Sequence, residues 1–259
     1  MGHHNRHFSG DPYSLNGIWG PPTSAANFCE EDYAVTFYIA EFINALTNVT
    51  YIYYAFRYAR NRGRNQAWNG HDLMSISLFL VGVSSFIFHT TLRQTAQLFD
   101  DLSMLLLGAS FLLSVYTTNQ TPVVQSLLAT IICGGISIVS VIYLRTGNMV
   151  LHTISFGTVL LLTGPRTWYL IRKRKGLSKD KSGEKKKSSG LDYKLAKAGV
   201  LLVAGFTLWN IDLVMCSQLR AVRNYVGLPW AWLFELHGWW HILTAASAFE
   251  FIELVRIIC

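Results

Sequence analysis

This chain carries apolar runs that are too long to be one face of a water-soluble helix. "ISLFLVGVSSFIF", "LSMLLLGASFLLSVY", "VVQSLLATIICGGISIVSVIYL" and "LAKAGVLLVAGFTLWNIDLVM" approach or exceed the roughly 20 residues that cross a bilayer. A helix that is apolar all round has no side to offer water. Composition agrees: 51% of the 259 residues are hydrophobic and only 14% are charged, against roughly a quarter charged in soluble domains.

Seven spans are predicted: Tyr33–Phe56, Leu73–Thr91, Asp100–Tyr116, Val123–Leu144, Met149–Ile171, Leu195–Cys216 and Trp230–Ile257. The fold class is therefore an all-α membrane protein, a seven-transmembrane helix bundle. Residues 1–32 form an N-terminal segment and 33–258 one membrane domain. The opening "MGHHNRHFSGDPYSLNG" is polar and holds Gly and Pro, which reads as a flexible tail with solvated His3, His4 and His7 and not as a cleavable signal peptide.

The net charge of +7 is concentrated. Arg57, Arg60, Arg62 and Arg64 follow the first span, and the basic stretch "RKRKGLSKDKSGEKKKSSG", within a loop at 172–194, follows the fifth. With seven spans these lie on one side, which the positive-inside rule makes cytosolic. The N-terminus is then luminal and the C-terminus cytosolic; Arg220 and Arg223, in an opposite loop, weaken the asymmetry without reversing it. Beside a membrane, such a loop sets topology and touches anionic lipid, and nucleic acid is not expected as a partner.

Four cysteines are too few for a disulfide framework. Cys133 sits inside the fourth span and Cys259 ends the tail. Cys29 and Cys216 both fall on the luminal side, where a disulfide can persist; topology alone leaves their pairing open.

Ionisable residues are costly inside a span and mark function. His89 lies near the luminal end of the second span, Asp100 and Asp101 open the third, and His237 and His241 occupy the seventh. At 1.5 Å per residue His237 is on the order of 10 Å deep, so three histidines and an acid meet at similar depth. The i, i+4 spacing puts His237 and His241 on one helix face. Three protein ligands plus water is the arrangement of a catalytic zinc, with b-type haem as the competing reading. Asp100 is a candidate to hold a histidine or to accept a proton. Ser85, one turn deeper than His89, either donates to an oxyanion or bonds back to its own helix. His152 reads as an interhelical hydrogen-bond donor and His71 as a solvated loop residue.

The stretch "NFCEEDYAVTFYIAEF" combines Asn27, Glu30, Glu31 and Asp32 with Glu41. Oxygen-rich sets of this kind suit calcium, although the pattern is not an EF-hand. The surface acids also suit a helix N-terminus, whereas Glu41, about a turn and a half inside the first span, needs a partner.

Four segments together resemble the alkaline ceramidase family, within a wider group of seven-helix membrane hydrolases that includes the adiponectin and progestin receptors. They are "WGPPTSAANFCEEDYAVTFYIAEF", "GVSSFIFHTTLRQTAQLFDDLSM", "LWNIDLVMCSQLR" and "LHGWWHILT", running in family order from Trp19 to about Thr244. The resemblance implies an intramembrane zinc held by His89, His237 and His241, with Asp100 as proton acceptor and Ser85 stabilising the oxyanion. It also implies a calcium held by Asn27, the Phe28 carbonyl, Glu30, Asp32 and Glu41, and a disulfide between Cys29 and Cys216. The family carries aspartate, tryptophan and asparagine where Asn27, Phe28 and Asp32 stand, so an acid is moved and not lost. Its "LLDELPM" reads "LFDDLSM" here, with Ser103 in place of proline.

The implied activity is hydrolysis of a ceramide, of the phytoceramide or dihydroceramide type, to a sphingoid base and a fatty acid. The implied setting is the endoplasmic reticulum or Golgi membrane. The alternative is a receptor of the adiponectin or progestin type with a structural zinc. Protein partners are not legible in the sequence.

Overall fold

The computed structural model describes residues 12–61, 73–178 and 185–259. His3, His4, His7, His71, Arg62, Arg64 and the centre of the basic stretch, 179–184, lie outside the described residues. The described residues are helical throughout the bundle, with no strand beyond one isolated bridge between Thr36 and Ile39. In order they form α1 (Phe42–Thr47), α2 (Val49–Asn61), α3 (Leu73–Thr91), α4 (Gln94–Thr117), α5 (Pro122–Thr146), α6 (Met149–Ser178), α7 (Lys185–Val214), α8 (Cys216–Val226) and α9 (Leu236–Ile258). A 3₁₀ turn, Trp230–Phe234, precedes α9.

Four of these helices are long and apolar enough to cross a membrane: α3, α4, α5 and the Gly190–Val214 part of α7. Local chemistry sets their ends. α5 starts at Pro122, where the missing N–H would have no helical partner anyway, and stops at Gly147, whose φ of 61° is left-handed. Tyr143 is the one buried side chain of α5, while Leu127, Ile131 and Ile138 face outward. In water such a face would drive aggregation; against lipid tails it costs nothing.

The structure moves several predicted boundaries. The first span does not begin as helix at Tyr33. Residues 33–41 are irregular, and the backbone N–H groups of Ala40 and Glu41 bond the carbonyls of Thr90 and His89 (3.0 and 2.9 Å) instead of continuing a helical ladder. Glu41 is thus the residue before α1, with extended backbone, and not a residue inside the span. Asp100 and Asp101 lie well inside α4, which starts at Gln94. The basic loop is shorter than 172–194, because α6 runs on to Ser178 and α7 starts at Lys185; lysine and arginine are good helix formers.

An apolar core of Tyr51, Met74, Leu78, Val115, Ile171 and Ile252 joins α2, α3, α4, α6 and α9. Gly82 lets α2 and α3 approach: a Cβ there would sit 2.9 Å from Tyr51 Cβ and Ile52 Cγ1. At the other end of the bundle, the segment before α1 folds over the turn joining α3 and α4. Thr23 and Ser24 donate to the Leu92 carbonyl (3.0 and 3.1 Å), and Ala25 and Ala26 donate to Gln97 Oε1 (2.7 and 3.1 Å). A disulfide joins Cys29 to Cys216 at the start of α8. Arg223 of α8 donates to the Cys29 carbonyl at 2.8 Å and pairs with Glu235 at 2.6 Å.

Candidate metal centre

His89 comes from the last turn of α3, and His237 and His241 come from the first two turns of α9. All three are buried, and one ligand atom from each lies within 4.8 Å of the others. Gly238, between the two α9 histidines, keeps that helix close to α1; a Cβ there would lie 3.1 Å from Ile43 Cγ2 and 3.3 Å from Thr47 Cγ2.

The neighbours of each ring decide its tautomer. His89 Nδ1 is 2.5 Å from Glu41 Oε2, a carboxylate that only accepts, so Nδ1 carries the proton. Thr47 Oγ1 is 3.0 Å from His241 Nδ1 and donates its own proton to the Ile43 carbonyl at 2.9 Å; His241 Nδ1 is therefore also the donor. Both rings keep Nε2 as a lone pair. His237 stacks on Phe28 at 3.5 Å between centroids, and its Nδ1 is buried without a hydrogen-bond partner. Two directed lone pairs and an orphaned imidazole nitrogen make a donor set that fits zinc. The ring centroids stand 4.5, 4.8 and 5.0 Å apart, which leaves no slot for a haem macrocycle.

Asp100 is buried on α4, with the hydroxyls of Ser84 and Ser85 of α3 beside its carboxylate. Ser84 donates to Ser103 at 2.9 Å, which in turn donates to the Asp100 carbonyl at 2.6 Å. The acid that orients a histidine is Glu41 and not Asp100, which leaves the Asp100 carboxylate for proton chemistry.

Asn27, Glu30, Asp32 and Glu41 are all buried in the segment before α1. Asn27 Nδ2 donates to Asp32 at 3.1 Å, while Asn27 Oδ1 is buried with no hydrogen-bond partner. Glu30 accepts from the backbone N–H groups of Ile43 and Asn44 (2.7 and 2.8 Å), and Glu41 accepts from the Phe28 N–H at 3.0 Å. Burial, and behind it the Glu41 charge, push Glu30 up to about 8. Crowded buried acids beside an orphaned amide oxygen fit a hard cation.

One contributor, Asp212, was not singled out from sequence. Asp212 of α7 accepts from the N–H groups of Cys29 (3.1 Å) and His237 (3.3 Å), tying the first segment to the first turn of α9. An acid inside the apolar run "LWNIDLVM" was the available signal. His152 is the interhelical donor expected from sequence, its Nε2 donating to the Asp101 carbonyl of α4 at 3.1 Å, and Asp101 accepts from Tyr143 and from Gln97.

A family model described as Ceramidase matches residues 20–259. Alkaline ceramidase YPC1 of Saccharomyces cerevisiae is 29% identical over 263 residues, covering 95% of this chain and 80% of the yeast protein. Alkaline ceramidase 3 of Mus musculus is 29% identical over 235 residues, covering 90% and 83%. Putative alkaline ceramidase dcd3A of Dictyostelium discoideum is 25% identical over 269 residues, covering 92% and 88%. With a match spanning the bundle from ahead of α1 to the end of α9, the chain belongs to the ceramidase family.

Proposed function

We propose that this chain is an alkaline ceramidase that hydrolyses the ceramide amide to a sphingoid base and a free fatty acid. The observation that carries the reading is the buried trio His89, His237 and His241, with Ser84 and Ser85 on the same helix as His89 and Asp100 on the neighbouring α4. A structural metal site needs no such acid. The names of the yeast and mouse relatives point the same way.

A zinc held by the three histidines would supply a water of lowered pKa and a Lewis acid for the amide carbonyl. Asp100 takes the proton of the attacking water and returns it to the departing nitrogen. Ser85, on α3 one turn deeper than His89, donates its hydroxyl to the oxyanion that forms at the amide carbonyl. Glu41 holds the His89 ring by its Nδ1. A calcium held by Asn27, the Phe28 carbonyl, Glu30, Asp32 and Glu41 would share Glu41 with that ring, coupling the two sites through one carboxylate.

The same reading places seven crossings in the bundle, counting α1 and α2 together and then α3, α4, α5, α6, α7 and α9. The N-terminus is luminal and the C-terminus cytosolic, in the endoplasmic reticulum or Golgi membrane. A glycan on Asn119, between α4 and α5, would overturn this orientation.

The test is turnover by purified full-length protein in detergent, following sphingoid base by mass spectrometry for wild type and His241→Ala. Release by wild type, and none by a variant that remains folded, supports the reading. With zinc and calcium supplied, no release from phytoceramide, dihydroceramide or unsaturated ceramide sinks it in favour of the receptor.

A further inference from the structure

The short helix α8 is built inside out. At 3.6 residues per turn its 11 residues divide into an inner face and two outer flanks. Cys216, Arg220 and Arg223, at i, i+4 and i+7, form the inner face. Cys216 is held in the disulfide with Cys29. Arg220 and Arg223 donate to the Cys29 carbonyl at 3.1 and 2.8 Å, and Arg223 pairs with Glu235 at 2.6 Å. Leu219, Val222 and Val226, at i, i+3 and i+7, make one outer flank. Ser217 and Asn224, at i and i+7, make the other. Tyr225 stands on the outermost side between the flanks and is 92% exposed.

A helix at the surface of a water-soluble protein turns its apolar stripe inward and its charges out. α8 does the reverse, and Val222 and Val226 are exposed while Arg223 is buried. The charge that the sequence places in this loop is thus spent inside the fold. Nothing on the apolar flank then resists contact with acyl chains.

Two further features say what covers that flank. α8 follows directly on α7, a membrane-capable helix whose Val200, Val203, Phe206 and Val214 are exposed, so the outer surface of α8 continues a lipid-facing one. The turn Trp230–Phe234 packs against α8, with Leu228, Trp230 and Trp232 exposed around it. Tyrosine and tryptophan rings of this kind sit at headgroup level, where one end is apolar and the other wet. We propose that α8 and this turn lie in the bilayer interface at the histidine end of the bundle, with Leu219, Val222 and Val226 against acyl chains and Ser217 and Asn224 toward water. Such a helix lies in the membrane plane with its apolar side roughly 5–10 Å into the headgroup boundary. Arg223 holds Glu235, the residue that precedes α9, so the lipid contact reaches the helix of His237 and His241 through one ion pair. The partner is a lipid surface, whatever reaction the histidines support.

The experiment uses full-length protein with the exposed free cysteines replaced, Cys133→Ser and Cys259→Ser, reconstituted in phosphatidylcholine vesicles. Single nitroxide labels at Val222→Cys, Val226→Cys and Asn224→Cys are read by power saturation with oxygen and with a water-soluble nickel chelate. The ratio of oxygen to nickel accessibility should be several-fold higher at the two valine positions than at Asn224. Equal access of nickel to all three positions puts α8 in water and overturns the proposal. Spin–spin broadening at Val222 and Val226 that disappears on dilution with unlabelled protein assigns the flank to a second copy of the chain and overturns it as well. A label-free comparison covers the turn. Lipids brominated near the top of the acyl chain should quench wild-type tryptophan fluorescence by a larger fraction than that of Trp230→Phe/Trp232→Phe. The same fraction quenched in both would remove the turn from the interface and contradict the proposal.

Discussion

Glu41 Oε2 and His89 Nδ1 meet at 2.5 Å, so a carboxylate from the segment ahead of α1 sets the tautomer of an imidazole at the end of α3. The same carboxylate accepts from the Phe28 N–H through its other oxygen and from Asn44 Nδ2 at 3.3 Å. Glu41→Gln should therefore weaken zinc binding by about 10–100-fold, the usual cost of losing a partner behind a ligating histidine. Zinc content after titration with a competing chelator reads this directly; wild-type retention would show that Glu41 does not hold the ring.

Thr47 does the equivalent work for His241 with a neutral oxygen. Thr47→Val removes this acceptor while keeping the shape, at a cost of about 0.5–1.5 kcal/mol for the lost hydrogen bond. Turnover should fall by roughly two- to tenfold on that basis, and Thr47→Ser should restore most of it. Equal activity in the valine and serine variants would contradict the tautomer assigned to His241.

The disulfide between Cys29 and Cys216 closes a separation of 187 residues and anchors the segment that carries Glu30 and Glu41. Replacing both cysteines by serine should cost about 2–5 kcal/mol of stability, as for native disulfides in other domains. A thermal-shift measurement should show a lower Tm for the double variant. The wild type should show the same fall under strong reductant.

Gly82 sits where α2 crosses α3, and an added Cβ would approach the Asn48 carbonyl to 3.2 Å as well as Tyr51 Cβ. Backbone cannot give way as a side chain can, so Gly82→Ala should cost about 1–3 kcal/mol by overpacking. Gly134, whose Cβ would meet nothing within 4 Å, is the control, and Gly134→Ala should be neutral or slightly stabilising. Denaturation of the two variants in the same detergent decides.

Much of the architecture is legible in the chain because lipid solvates a helix through its composition. The bounds Leu73–Thr91 come out the same from the apolar run as from the helix, and α5 differs only at its ends. The first span is the instructive exception. Tyr33 to Glu41 is apolar enough to read as helix, yet its backbone partners are the carbonyls of His89 and Thr90 on another element. No window of local sequence contains that information.

The histidines divide the same way. By itself the sequence determined that His237 and His241 share a face of one helix and that His89 lies at similar depth, because helical period and span position are local properties. Only the tertiary structure decided which groups hold them: Glu41 on His89, Thr47 on His241, and Asp212 on the backbone of His237. Each partner comes from a different helix or segment. The match is made by close approach at Gly238 and by the segment folded across the bundle, neither of which leaves a periodic trace. Chain chemistry names the donors, and packing sets the directions in which their lone pairs point.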